Sequence, residues 1–220
     1  MQWADPKKDQ AIADRLQKGI SDRLKTENGN LKSANDRISR LEGKIAKDGS
    51  SKSLESRLAS AKGDVASIST TISDLNSSSS ELTTMGDANV AQKFDFNELA
   101  AGSEVGNTGK DANGVITMDI VGDANAIHEA THGFQLYKGT MSSDALEREV
   151  PAYQRQISFD PNSVTNQVPS DAGSVSSRSG ITPAWVLGIN DKKGNYPYLP
   201  TLSPKARREV IKQLQTTKTP

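Results

Sequence analysis

Apolar residues recur every three or four positions from Ala11 to Leu75, and this stripe most constrains what the chain can fold into. Such spacing places the apolar side chains on one face of a helix. A turn signal at residues 48–51, Asp-Gly-Ser-Ser, interrupts the stripe near its middle. We therefore predict an antiparallel hairpin of two long helices with interdigitating seams, as in a coiled coil. Folding the chain back at the turn opposes these residues: Ile45 and Leu54, Leu41 and Leu58, Ile38 and Ala61, Leu24 and Leu75.

Two segments break the stripe. A charged residue, Glu27, precedes Asn-Gly-Asn at 28–30, where we expect the first helix to kink or fray. The hydroxyls of four serines at 77–80 compete with helical hydrogen bonds, so we expect this run to end the hairpin as a linker. Only 34% of the residues are hydrophobic, which favours one compact domain with an appendage. We assign residues 1–80 to a helical arm and residues 85–220 to that domain.

The second region alternates loops with short regular elements. Residues 100–114 and 160–182 are rich in Gly, Asn, Ser and Asp, which predicts loops. Alternating apolar residues predict a strand over 115–121, so the chain is expected to be an α+β protein. We expect a helix over 124–138 that is capped by Asp123 and ended by Gly139. A second helix is expected over 144–157, with Pro151 as a kink or a restart. A third is expected to start at Ser203 and Pro204 and to bury these apolar residues: Val210, Ile211 and Leu214.

The only two histidines of the chain lie four residues apart, in His128-Glu129-Ala130-Thr131-His132. On a helix, this spacing aims both imidazoles at one point. HExxH on a helix is the zinc site of metallopeptidases, in which the glutamate is the general base. A catalytic zinc ion takes three protein ligands and keeps a fourth position for water. Since the chain has no further histidine and no cysteine, a third ligand from the same chain must be a carboxylate.

The residues after the motif distinguish two groups of zinc peptidases. Metzincins have a third histidine six residues after the second, where this chain has Lys138. The pattern instead resembles the gluzincins, in which a glutamate on a following helix completes the site, and Glu-Val-Pro-Ala at 149–152 is similar to their Glu-x-x-Ala block. The resemblance implies that the metal ligands are His128, His132 and Glu149, with Glu147 as the alternative to Glu149, followed by Asp144 and Asp160.

A more specific resemblance is to the HExxH metallopeptidase toxin domains at the C-terminal ends of bacterial polymorphic toxins, including Rhs-type proteins. Residues 128–135 and 149–156 look like their HExxHxxQ and ExxAYxxQ blocks, and residues 181–186 resemble a segment often seen downstream. The resemblance covers residues 112–190 and does not reach the hairpin. It implies a small zincin-like metallopeptidase domain with Zn²⁺ as its cofactor.

The same resemblance implies roles for individual residues. Glu129 would take a proton from water and pass it to the leaving amine, while zinc polarises the scissile carbonyl. Gluzincins often stabilise the oxyanion with a tyrosine or histidine, and here no histidine is spare. Tyr153 is our candidate, with Tyr137, Tyr196 and Tyr198 as alternatives. Gln135 is either an ordinary surface residue or a partner of a ligand, and strand 115–121 would be the edge strand that pairs with substrate.

Charge and hydropathy narrow the possible partners. Lys and Arg total 27, as do Asp and Glu, so no long-range field favours nucleic acid. No stretch is apolar enough to span a bilayer, and the first residues lack the features of a secretory signal. The resemblance implies a toxin or effector with a protein or peptide substrate, cytoplasmic before it is exported or delivered into a target cell. Its hairpin would bind an immunity protein, a chaperone or the secretion apparatus.

The sequence is also compatible with two other functions. The chain can be a non-catalytic coiled-coil interaction protein whose zinc site is structural or vestigial. It can also be a zinc hydrolase that acts on a non-protein bond, because HExxH determines how water is activated and not which substrate is bound.

Overall fold

The computed structural model describes residues 3–100, 106–165, 170–190, 195–201 and 208. These residues form a mixed α+β structure that is mostly helical, with a small sheet and two long N-terminal helices. Each helix in this part of the chain is too short or too polar to span a bilayer. The helix expected after Ser203, with Val210, Ile211 and Leu214, lies outside the described residues except for Arg208, which is helical and exposed.

The N-terminal hairpin consists of α1 (Pro6–Asp48) and α2 (Lys52–Gly86). The Asp5 carboxylate caps α1 by accepting two backbone N–H groups, and the Ser51 hydroxyl caps α2. Gly49 lies between the helices with a φ of 84°, which few other residues adopt. The two helices and the turn predicted from the stripe are therefore confirmed, and polar contacts join them side by side: Arg37 with Asp64, Glu42 with Lys62, and Gln17 with Ser79.

Neither expected interruption of the hairpin is found. α1 stays helical through residues 28–30, where Glu27 is buried but paired with Arg23, Oε1 to Nη2, at 2.6 Å. α2 continues through the four serines, so the linker interpretation was wrong. Serine lowers helix stability by roughly 0.5 kcal/mol per residue. Burial of Leu75 and Leu82 around the run stabilises it by roughly 2 kcal/mol each, which outweighs that cost.

The sheet contains three strands among the described residues: β1 (Phe94–Glu98), β2 (Asn107–Lys110) and β3 (Ile116–Ile120). Their order is β1-β3-β2, with β1 parallel and β2 antiparallel to β3. β3 confirms the predicted strand, because its apolar residues are buried on one face: Ile116, Met118 and Ile120.

Two expectations about the sheet were wrong. β3 is the central strand and not the edge strand, because β1 and β2 pair with its two sides. β2 lies within residues 100–114, which we expected to be a loop. Its sequence, Asn-Thr-Gly-Lys, has no apolar alternation, and its strand conformation comes from pairing with β3. The edge strand nearest the histidines is therefore β2, whose Thr108 contacts Glu129.

Helix α3 (Asp123–Lys138) carries the HExxH motif across the sheet. Its N-cap is Gly122 and not Asp123, whose carboxylate instead accepts a hydrogen bond from Arg15 Nε at 2.8 Å. It ends at Gly139 as predicted, with a φ of 66°. A Cβ on Gly133 would lie 2.8 Å from Met118 Sδ, so the glycine after the second histidine lets α3 lie close against β3.

Helix α4 (Ala145–Phe159) follows and packs beside α3. The Asp144 carboxylate caps it, and the helix passes through Pro151 without a restart. Two carboxylates of α2 contact this part of the chain: Glu81 pairs with Arg155, and Asp74 pairs with Arg178 and accepts a hydrogen bond from the Ser158 hydroxyl. The described residues also form α5 (Asn162–Thr165), α6 (Pro183–Leu187) and the 3-10 turns Arg178–Gly180 and Leu199–Thr201.

Among the described residues, buried apolar side chains form two clusters, one that includes residues of α3 and one that includes residues of α4. The first cluster joins the ends of α1 and α2 that lie farthest from the turn to the sheet and to α3. It includes Leu16, Ile20, Leu82, Phe96, Met118 and Ile127, so it contains residues from both sides of the predicted domain boundary at 80–85. The second lies under α4 and α6 and includes Tyr153, Ile157, Ile181 and Trp185. The histidine motif lies where α3 and α4 meet, between the two clusters.

Candidate metal centre

Three side chains meet between α3 and α4. His128 and His132 lie one turn apart on α3, and Glu149 reaches them from α4; all three are buried. The two Nε2 atoms are 3.1 Å apart, and Glu149 Oε2 lies 3.3 Å from His128 Nε2 and 3.4 Å from His132 Nε2. A tetrahedral zinc ion with bonds of about 2.0–2.1 Å separates its ligand atoms by about 3.3 Å. The buried triad could therefore hold a metal ion.

Of the four candidate carboxylates, that of Glu149 is the one that meets the two histidines in the described structure. Glu147 is exposed and bonds to the Ser142 hydroxyl at 2.6 Å, because two residues of helix turn it about 200° away from Glu149. Asp144 caps α4, and Asp160 accepts the backbone N–H of Asn162. None of these three carboxylates reaches the histidines in the described structure.

A hydrogen bond orients the second imidazole. Gln135 Oε1 lies 3.2 Å from His132 Nδ1. Because an amide oxygen only accepts, Nδ1 carries a ring proton, so that in the neutral ring Nε2 presents its lone pair to the other two groups. His128 Nδ1 has no hydrogen-bond partner among the described residues, and its ring packs edge-on against Tyr153 at 4.4 Å between centroids. Gln135 is thus a partner of a triad residue.

The electrostatics of the triad suit a cation. Burial raises the pKa of the Glu149 carboxyl, but hydrogen bonds from the two imidazoles outweigh burial and hold its pKa below the usual range. Burial lowers the pKa of His132, and the contact with Glu149 outweighs it, so that this pKa is raised. An ionised carboxylate in a buried site needs a compensating positive charge. A divalent metal ion bound by the triad would supply that charge.

Two of the four candidate tyrosines lie at the site. Tyr153 follows Glu149 by one turn of α4 and packs against His128. Tyr198 forms hydrogen bonds to both Tyr153 and Glu149, and burial raises the pKa of both phenols, so both stay protonated. Tyr137 instead packs on Phe94, and Tyr196 bonds to Asp171. Sequence spacing points to Tyr153, whereas only the fold brings Tyr198 to the triad.

Glu129 is buried beside the triad and held by two donors. Thr108 Oγ1 on β2 donates to Glu129 Oε2 at 2.7 Å, and Asn125 Nδ2 donates to Oε1 at 3.3 Å. The Glu129 charge also acts on His132. Sequence reasoning missed both donors. Asn125 lies four residues before Glu129, a helical spacing that could have identified it; Thr108 carries no such signal.

Gly106 covers the Glu129 carboxylate. A Cβ at this position would lie 2.6 Å from Glu129 Oε1 and 2.6 Å from the carbonyl oxygen of Asp119, which is backbone and cannot rotate away. We therefore expect Gly106→Ala to lower the free energy of unfolding by about 1–3 kcal/mol. Gly109→Ala is the matched control, because nothing lies within 4 Å of its Cβ position. Urea unfolding measures both variants, and equal midpoints would contradict the close approach.

The site thus combines a buried triad of two imidazoles and a carboxylate with an adjacent, anchored glutamate and two phenols. The sequence analysis named all six of these residues, with Tyr198 as an alternative to Tyr153, and the fold added Thr108 and Asn125. Comparison of the chain with protein-family models, curated proteins and solved structures finds no match.

Proposed function

We propose that this protein is a zinc-dependent endopeptidase of the gluzincin kind. The observation that carries the proposal is the triangle of His128, His132 and Glu149, whose ligand atoms are 3.1–3.4 Å apart, with the Glu129 carboxylate beside it. Two imidazoles and one carboxylate are the ligand set of several catalytic zinc sites, which leave the fourth position open. Structural zinc sites usually have four protein ligands, often cysteines, and this chain has no cysteine.

The chain's own residues have separate tasks in this proposal. Bound zinc would act as a Lewis acid toward a carbonyl oxygen and a water molecule. Glu129 accepts the proton of the attacking water on its carboxylate and delivers it to the nitrogen of the leaving amine. The phenols of Tyr198 and Tyr153 stay protonated and can donate to the oxygen that becomes negative. Gln135 keeps His132 in the tautomer that ligation needs.

The resemblance to polymorphic-toxin peptidases supports a setting for this activity. In that setting the enzyme is a bacterial toxin or effector, which is delivered into a target cell and cleaves a protein there. The distal part of the hairpin would contact an immunity protein, a chaperone or the secretion apparatus.

A second candidate function is favoured by the burial of the triad. The side chains of His128, His132 and Glu149 are only 6%, 7% and 11% exposed. A metal ion closed off in this way would stabilise α3 against α4 without catalysing a reaction, and the protein would act through its hairpin. The two functions differ in whether the metal-loaded protein cleaves anything.

Cleavage of a proteome-derived peptide library, read as new termini by mass spectrometry, tests the proposal. We expect cleavage by the zinc-loaded protein, its loss after treatment with a chelator, and its return when zinc is added. The double variant His128→Ala/His132→Ala, checked for folding by circular dichroism, should be inactive with or without zinc. A wild type that binds zinc and cleaves no peptide would overturn the peptidase proposal in favour of the structural site.

A further inference from the structure

The Glu129 carboxylate has a separate donor on each of its oxygens. Thr108 Oγ1 lies 2.7 Å from Oε2 and 3.1 Å from the Glu129 carbonyl oxygen, so the shorter contact to Oε2 takes its one proton, and Asn125 Nδ2 donates to Oε1 at 3.3 Å. The two donors come from different elements, the edge strand β2 and the first turn of α3. A glutamate side chain has three rotatable bonds, and two contacts from different directions leave it little freedom.

Both donors are themselves fixed in orientation. The amide oxygen of Asn125 accepts the backbone N–H of Val121 at 3.0 Å, so its NH₂ group must point to Glu129. Thr108 is paired with Met118 on β3, and paired residues of antiparallel strands point to the same face of the sheet. That face is the one on which α3 packs, because Met118 contacts Gly133. The fold, rather than a mobile loop, therefore sets both contacts.

We propose that Thr108 and Asn125 are positioning residues that hold the Glu129 carboxylate in the geometry of a general base. This inference rests on the proposed peptidase function and adds two residues to it. Each carboxylate oxygen has two lone pairs, so one hydrogen bond per oxygen leaves a second lone pair free. That free lone pair can accept the proton of water, which the carboxyl group then gives to the leaving amine. A misplacement of about 1 Å in a catalytic group can lower the rate by about 100-fold.

Kinetics on the most rapidly cleaved peptide of the library tests the positioning role. Thr108→Val keeps the size of the side chain and removes its donor; we expect kcat to fall by about 10- to 100-fold with KM and bound zinc unchanged. Thr108→Ser should recover most of the rate, and Asn125→Ala should resemble Thr108→Val. The matched control is Thr117→Val on β3, which should leave kcat unchanged. The Thr117 side chain lies on the face of the sheet opposite to Met118, and therefore away from Glu129.

The role through Glu129 has its own readout. In a Glu129→Gln background, Thr108→Val should lower the residual rate no further, whereas a purely structural role would lower it again. A double-mutant cycle measured by urea unfolding of the metal-free protein gives a second test. It compares the wild type with Thr108→Val, Glu129→Ala and the double variant. We expect the two effects on the free energy of unfolding to be non-additive, because either substitution removes the same hydrogen bond.

The outcomes separate this inference from the proposed function. A wild type without cleavage would overturn the peptidase, and the unfolding cycle would still decide whether Thr108 holds Glu129. Additive unfolding effects would overturn the positioning role. A cleaving wild type whose Thr108→Val and Asn125→Ala variants keep full kcat would overturn it as well.

Discussion

Replacing Glu149 by glutamine should weaken zinc binding by about 100-fold or more, and replacing Glu147 by glutamine should leave it unchanged. Zinc binding by small structural sites is worth about 10–16 kcal/mol, which over four ligands is roughly 3 kcal/mol each. The loss of roughly 3 kcal/mol corresponds to about two orders of magnitude in the dissociation constant. Glu149→Gln also removes the negative charge that balances the ion, while Glu147 is exposed and bonded to Ser142.

Competition with a chromophoric chelator measures these dissociation constants in the purified protein. His128→Ala and His132→Ala should weaken binding at least as much as Glu149→Gln. Gln135→Ala should have a smaller effect, about 10-fold, because it removes a hydrogen bond to a ligand and not a ligand. Equal affinities of the Glu149→Gln and Glu147→Gln variants would show that the third ligand is another group.

Replacing Glu129 by glutamine should lower kcat by about 10²- to 10⁴-fold while zinc stays bound. Glutamine has the shape of glutamate but cannot accept a proton at neutral pH. Its amide also fits the pocket, because the oxygen can accept from Asn125 while the Thr108 hydroxyl turns to accept from the nitrogen. The loss of rate should therefore come from the missing base and not from a displaced side chain.

Rates on the best-cleaved library peptide and bound zinc are measured on the same samples. Glu147→Gln is again the control, since it makes the same chemical change on α4 away from the triad. A Glu129→Gln variant with the wild-type rate would exclude Glu129 as the base. A variant that loses zinc would instead show that Glu129 supports the ligands.

Helical periodicity explains most of what the sequence predicted about the fold. In α1 and α2 one face must be apolar along dozens of residues, and a pattern of that length is visible in a single sequence. Gly139 marks the end of α3 because the residue after a helix often adopts positive φ. The serine run was misread because its helicity depends on Leu75 and Leu82 being buried by other parts of the chain.

Strands were harder to predict because pairing fixes them. β2 has no pattern of its own and is a strand only where β3 lies beside it. β1 was not predicted, although its sequence carries a strand signal: Phe94 and Phe96 alternate with polar residues, and both phenylalanines are fully buried.

The residues of the candidate site also fall into two groups, those that local sequence spacing identifies and those that only the fold brings to the site. Two histidines four residues apart and the absence of cysteine identify the triad from local spacing and exclusion. Thr108 and Tyr198 reach the site from segments 20 or more residues away, through contacts that only the folded chain creates. Their residue types are common on protein surfaces, so nothing in the sequence distinguishes them.

The continuation of α2 to Gly86 limits how this chain could be recombined with others. A break at residue 80 would fall inside α2. It would remove the packing of Leu16 and Ile20 against the sheet and α3, and it would remove the ion pair between Asp74 and Arg178. The arm therefore cannot be exchanged as a whole. A transplant that spares the triad needs its junctions nearer the hairpin tip, after Glu27 on α1 and before Ser67 on α2, because Glu27 and Ser67 still line a cavity with Ile157 of α4. Only that distal part is free to diverge without disturbing the metal centre.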